Sequence, residues 1–223
     1  MQSRADWYEI RHAIFRFVPI VLFMALLAGA LVLDVMVFHN GVAENGATEL
    51  MQSSILALNV MMFGHLAYLY PNSRGCFVLV MGFFGAMLIR ELDGLFDHIR
   101  HGFWKYPAWA LTLGCIGYAR FVVAGTVLSP LAALVRSRQF TAICYGLVIV
   151  LLFSRIFGNG HLWHAILGEH FVRVAENVAE EGIELLGYGI LFCGCVGYYV
   201  GLYRSEKAAA HSHRQVEATD FAS

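Results

Sequence analysis

Six stretches of roughly 20 mostly apolar residues run through this chain, and no other feature restricts its fold as strongly. Lipid offers the backbone no hydrogen-bond partner, so a segment that crosses the hydrocarbon core must satisfy its own amides as a helix. The stretches run from about Ile14 to Phe38, Leu50 to Tyr70, Cys76 to Ile89, Tyr106 to Val127, Gln139 to Phe157 and Ile183 to Tyr203. The first continues past Pro19 and holds Asp34 near its far end. The second carries no formal charge. The third meets Arg90-Glu91-Leu92-Asp93 before it has finished crossing. The fourth has Pro107 in its first turn, where a missing amide costs little, encloses Arg120 and stops at Ser129-Pro130.

Composition agrees. Hydrophobic types make up 59% and charged types 14% of 223 residues, against about 25% charged in soluble domains, which argues against a soluble globule. A net charge of −1 leaves no broadly basic surface for phosphate contacts, so nucleic acid is not an expected partner. The expected fold is all-α and polytopic: a bundle of six transmembrane helices over residues 1–204, with an extra amphipathic helix from about His161 to Glu181 on the outer side. A polar tail, residues 205–223, is expected to be disordered. Ala28-Gly29-Ala30 has the form of a signal cleavage site, but the apolar run continues through Leu31 to Leu33, so an uncleaved first span is expected.

Orientation follows from the cations in the short loops. Arg4, Arg11, Arg16, Arg74, Arg136, Arg138, Arg204, Lys207 and Arg214 fall on one side, and Arg100, Lys105 and Arg173 on the other. Both termini are therefore expected to be cytoplasmic, in a plasma-membrane protein. All five cysteines, Cys76, Cys115, Cys144, Cys193 and Cys195, lie within the apolar stretches, where a thiol packs as a small hydrophobe, so neither disulfides nor a thiolate metal knot is expected. Gly197 and Gly201 form a small-xxx-small pair suited to close helix contact, within the chain or with a subunit partner.

This topology collects acids on one side. Asp34, Glu44, Glu49, Glu91, Asp93, Asp97, Glu169, Glu176, Glu180, Glu181 and Glu184 all belong to the outer half, with His39, His98, His101, His161, His164 and His170. Arg90, Asp93, Asp97 and His101 share one helical face, Glu91 and His98 another, and Glu169, Arg173, Glu176, Glu180 and Glu184 form a stripe entering the sixth span. Glu44, Glu49, Glu169 and Glu181 read most simply as a solvated acidic surface. Glu91 and Asp93 do not, because an ionised carboxylate inside a span costs about 2.5 to 3.5 kcal/mol and normally faces a partner or a water-filled cavity.

The expectation from these residues is an integral membrane protein whose outer cluster binds a cation or metal ion. The candidate ligands are Glu91, Asp93, Asp97, His98, Glu180 and Glu184, with Arg90 and Arg155 as ion-pair partners. Carboxylate and imidazole together suit a divalent transition metal such as zinc, iron or manganese, although the Glu-x-x-His spacing of dinuclear bundle sites is absent. One alternative is a structural ion-pair network in a membrane subunit or partner-binding protein. Another is a metal-dependent membrane hydrolase acting on a lipid or small amphipathic substrate, with Glu181 or Glu91 as general base. Whether the chain is an enzyme stays open. A complete proton conduit is poorly provided for, since the inner half of the spans holds only His65 and Arg120. No lysine lies within a span to carry retinal, no glycine-rich loop cradles a nucleotide, no G-x-S-x-G elbow is present, and a bis-histidine haem is not expected.

Overall fold

Among the described residues, ten α-helices follow the apolar pattern of the chain: α1 (Gln2–Met36), α2 (Ala47–Leu69), α3 (Arg74–Glu91), α4 (Asp93–Asp97), α5 (Lys105–Gly117), α6 (Leu128–Arg136), α7 (Arg138–Val148), α8 (Ser154–Phe157), α9 (Gly160–Leu167) and α10 (Arg173–Asp220). The computed structural model describes the backbone of residues 2–37 and 46–220 and the side chains of residues 6–11, 13–37 and 46–205. His39 and Glu44 lie outside the described residues, as do the side chains of Arg4, Lys207 and Arg214. Among the described residues there is no strand. Five helical segments are long and apolar enough to cross a membrane: Asp6–Met36, Ala47–Leu69, Pro71–Glu91, Arg138–Phe157 and Arg173–Ser205.

The expected fourth span is not among them. Its helix runs from Lys105 through α5 into a π turn over Tyr118–Val122 and stops there, short of the expected end at Val127. The reason is local. Gly125 takes φ +90°, which favours glycine, and Thr126 turns back to serve α3. The Gly75 amide donates to Thr126 Oγ1 at 2.9 Å and the Cys76 amide to the Thr126 carbonyl at 3.2 Å, so two orphan donors of the α3 N-terminus are satisfied by another loop.

The expected outer amphipathic helix from His161 to Glu181 also differs. α9 ends at Leu167, a 3₁₀ turn covers Gly168–His170 with Gly168 at φ +57°, and α10 begins afresh at Arg173. From there the helix is continuous into the last span, which places Arg173, Glu176, Glu180 and Glu184 on one element and leaves Glu169 off it. The α10 backbone stays helical to Asp220, through the segment expected to be a disordered tail.

α10 forms the axis. Leu185, Tyr188, Leu191, Cys195 and Tyr198 face inward at steps of three and four and are at most 6% exposed, meeting the α2 face that carries Ile55, Leu56, Phe63 and Leu66. Phe63, Phe77, Phe84 and Tyr198 form an aromatic knot with centroids 5.6 to 6.5 Å apart. α7 approaches α10 at backbone distance. A Cβ added at Gly146 would meet the Leu191 amide nitrogen and the Gly187 carbonyl, and one at Gly194 would meet the backbone of α7 at Ile143 and Gln139. The close backbone crossing therefore uses Gly187 and Gly194; of the Gly197/Gly201 pair, Gly197 lies against the Gln139 side chain of α7 and the space beside Gly201 is open.

Asp34, expected among the outer acids, serves as a cap. Gly46 precedes α2 and offers no side chain, and Asp34 of α1 accepts the Ala47 and Thr48 amides at 2.7 Å each. Asp34 is fully buried, and a Cβ at Gly46 would collide with its carboxylate. A carboxylate at a helix N-terminus satisfies orphan donors and complements the helix dipole. Asp34→Ala should lower stability by about 1 to 2 kcal/mol, read as a drop in the thermal midpoint of detergent-solubilised protein, with Asp34→Asn losing less. Equal midpoints for Asp34→Ala and wild type would refute the capping role.

Candidate functional site

The charged last turn of α3 reaches α10 and α8 at one end of the bundle. Glu184 lies at the centre, with its side chain 3% exposed. Arg90 Nη2 donates to Glu184 Oε1 at 2.5 Å, and Arg155 Nη2 donates to Glu184 Oε2. Both oxygens of one carboxylate are thus occupied by guanidinium groups from two other helices. Arg155 Nη1 also pairs with Glu180 Oε1 at 2.9 Å, one turn earlier on α10, and Arg90 Nη2 lies 3.3 Å from Glu91 Oε2. The Tyr188 hydroxyl faces Glu91 Oε2 at 3.1 Å and Glu184 Oε1 at 3.4 Å. Across on α2, Gln52 Nε2 donates to Glu181 Oε2 at 3.0 Å and to the Glu181 carbonyl at 3.3 Å.

Local structure explains how Arg155 gets there. The helix of α7 widens into a π turn over Ile149–Phe153 before it tightens into α8, and such a turn shifts the angular position of everything after it. The Ser154 hydroxyl donates to the Val150 carbonyl at 2.5 Å and receives Arg155 Nε at 3.2 Å. Gly158 then runs close against the Glu180 carboxylate, where a side chain would collide.

The six residues expected to ligate a metal divide. Glu91, Glu180 and Glu184 are brought together, and Arg90 and Arg155 join them as ion-pair partners. Asp93, Asp97 and His98 are not in the group. α3 ends at Glu91, so the helical faces that would have carried them inward do not continue. Asp93 is exposed. His98 Nδ1 donates to the Gly94 carbonyl at 2.8 Å. Asp97 accepts the Gly102 amide at 2.9 Å and His101 Nδ1 at 2.8 Å. The Gly102 amide first, and then His101, hold the Asp97 carboxyl below the usual range. Among the described residues no three His, Cys, Asp or Glu side chains are grouped so that they could hold a metal ion; His161, His164 and His170 are exposed around α9.

Two members went unforeseen, Tyr188 and Gln52, and Glu181, expected chiefly on a solvated surface and otherwise as a general base, is bonded to Gln52. The available signal was that Gln52 and Asn59 stand seven apart, on one helical face of a span without formal charge. Both are fully buried, and the Gln52 Oε1 and both Asn59 amide atoms have no hydrogen-bond partner among the described residues. Chemically the site can hold charge in a fixed place, and its four carboxylates outnumber its two guanidinium groups.

No protein-family model matches the chain, and comparison with curated proteins and with solved structures returns no match; the functional reading therefore rests on the site itself.

Proposed function

We propose that this chain is a non-enzymatic integral membrane component, a subunit or partner-binding protein, in which the Glu184 network locks the outer ends of the helices. The observation that carries the reading is the convergence of Arg90 and Arg155, from α3 and α8, on the two oxygens of buried Glu184. Guanidinium groups that occupy a carboxylate in this way take the positions a metal would need. In this proposal the chain crosses the plasma membrane six times with both termini cytoplasmic. The crossing added to the five long segments is the helix from Lys105, fourth in chain order, whose 13 α-helical and five π-helical residues reach about 27 Å at 1.5 Å per residue, close to the roughly 30 Å hydrocarbon core. α9 and the first turns of α10 then form the outer cap.

A second reading is favoured by the charge balance. Two carboxylates beyond the number of guanidinium groups repel one another unless a proton or cation is shared among them; Glu181, bonded to Gln52, has no arginine ion pair among the described residues, and Glu180 shares Arg155 with Glu184. Elemental analysis of folded protein purified without chelator separates the two. The lock reading expects no stoichiometric transition metal in wild type. The cation reading expects about one or two ions per chain, lost in Glu180→Ala or Glu181→Ala and kept in Asp93→Ala. A stoichiometric metal with that pattern would overturn the lock.

A further inference from the structure

α3 packs on α2 and α5, α7 packs on α10, and the short helix α6 bridges their other ends. Between α3 and α7 this leaves a cavity of about 270 Å³, lined by Phe83, Phe84, Leu131, Phe140 and Leu147 with Phe63 and Cys195 at its floor. The gap is held open by construction, because the loop leading into α6 is tied to the α3 N-terminus through Thr126. The lining offers almost no polar atom to hold water, and an apolar cavity of roughly 150 Å³ takes up a small hydrocarbon instead.

Leu79 and Val127 also line a second recess, of about 420 Å³, which contains Arg120. Arg120 is exposed on the π turn that ends the α5 helix, its guanidinium 5.7 Å from the Phe121 ring centroid, and no carboxylate pairs with it among the described residues. A cation without an acid beside an apolar slot matches a molecule with an anionic head and a hydrocarbon tail. We propose that the α3–α7 cavity binds one acyl chain of an anionic phospholipid from the surrounding leaflet, with its phosphate at Arg120. The two recesses meet at Leu79 and Val127, so one lipid spans both without rearrangement of the helices. A second copy of the chain is the competing occupant, and the lipid-retention test separates the two.

The test is native mass spectrometry of the full chain, delipidated in detergent and then offered phosphatidylglycerol and phosphatidylcholine with the same acyl chains. Wild type should retain one phosphatidylglycerol with about fivefold preference, as one cation near the surface would give. Arg120→Gln should retain both lipids equally, and Leu131→Trp, which fills the cavity mouth, should retain neither. Equal retention by wild type, an unchanged preference in Arg120→Gln, or wild-type retention in Leu131→Trp would overturn the proposal. So would a lipid-free dimer, which would place a second copy in the cavity.

Discussion

Arg155→Ala is expected to lower the stability of the solubilised protein by about 3 kcal/mol, at the low end for a broken buried pair. Arg155 bridges Glu180 and Glu184 and is anchored at Nε by Ser154. Its own side chain is 45% exposed, which moderates the loss, but Glu184 is 3% exposed and would keep its charge with one guanidinium partner instead of two. Domain stabilities are about 5 to 15 kcal/mol, so the variant should yield visibly less folded protein. The diagnostic arm is rescue. Glu184→Gln in the Arg155→Ala background removes the uncompensated charge and should recover part of the thermal midpoint, giving a non-additive double-mutant cycle. Arg155→Lys should rescue poorly, because a single ammonium cannot reach two carboxylates as the guanidinium fork does. Asp93→Ala, outside the network, should match wild type. Additive effects of Arg155→Ala and Glu184→Gln would remove the ground for a lock.

How much of this was readable from residues alone depends on the range of the signal. Long apolar runs are local, and five of the six expected spans correspond to helices long and apolar enough to cross, including Gln139 to Phe157 within one residue of the observed segment at its start. The 3.6-residue period also placed Glu176, Glu180 and Glu184 on one stripe, which α10 carries. The period failed where the helix stopped. Asp93, Asp97 and His98 were placed by assuming that α3 continues, whereas it ends at Glu91. Val123 to Val127 are as apolar as a span, yet Thr126 is drawn off to α3, 51 residues away in sequence. Asp34 reads as one more outer acid until the chain turns at Gly46 and sets it beside the first amides of α2. The π turn before Ser154 was invisible to pattern, because no residue type specifies it. What the pattern missed depended on contacts between distant segments.

The largest effect outside the charge network is expected at Gly146. A Cβ there would lie 2.6 Å from the Leu191 amide nitrogen and 2.7 Å from the Gly187 carbonyl, and backbone atoms inside two helices cannot move aside individually. Gly146→Ala should therefore cost about 1 to 3 kcal/mol by forcing α7 and α10 apart, and Gly146→Leu more. In helices elsewhere the same change has the opposite sign, since alanine gains about 0.5 to 1 kcal/mol over glycine in helical conformation. Gly114 in α5 and Gly201 in α10 have open space beside them, so Gly114→Ala and Gly201→Ala should be neutral or stabilising. The site should feel the change as well. α7 leads through Ile149–Phe153 into α8, so separating α7 from α10 withdraws Arg155 from Glu184 and Glu180. Gly146→Ala combined with Arg155→Ala should accordingly cost less than the two losses taken separately, because the first already weakens what the second removes. Thermal midpoints of the four proteins decide it: full additivity would mean that the α7–α10 crossing and the charge network stand independently.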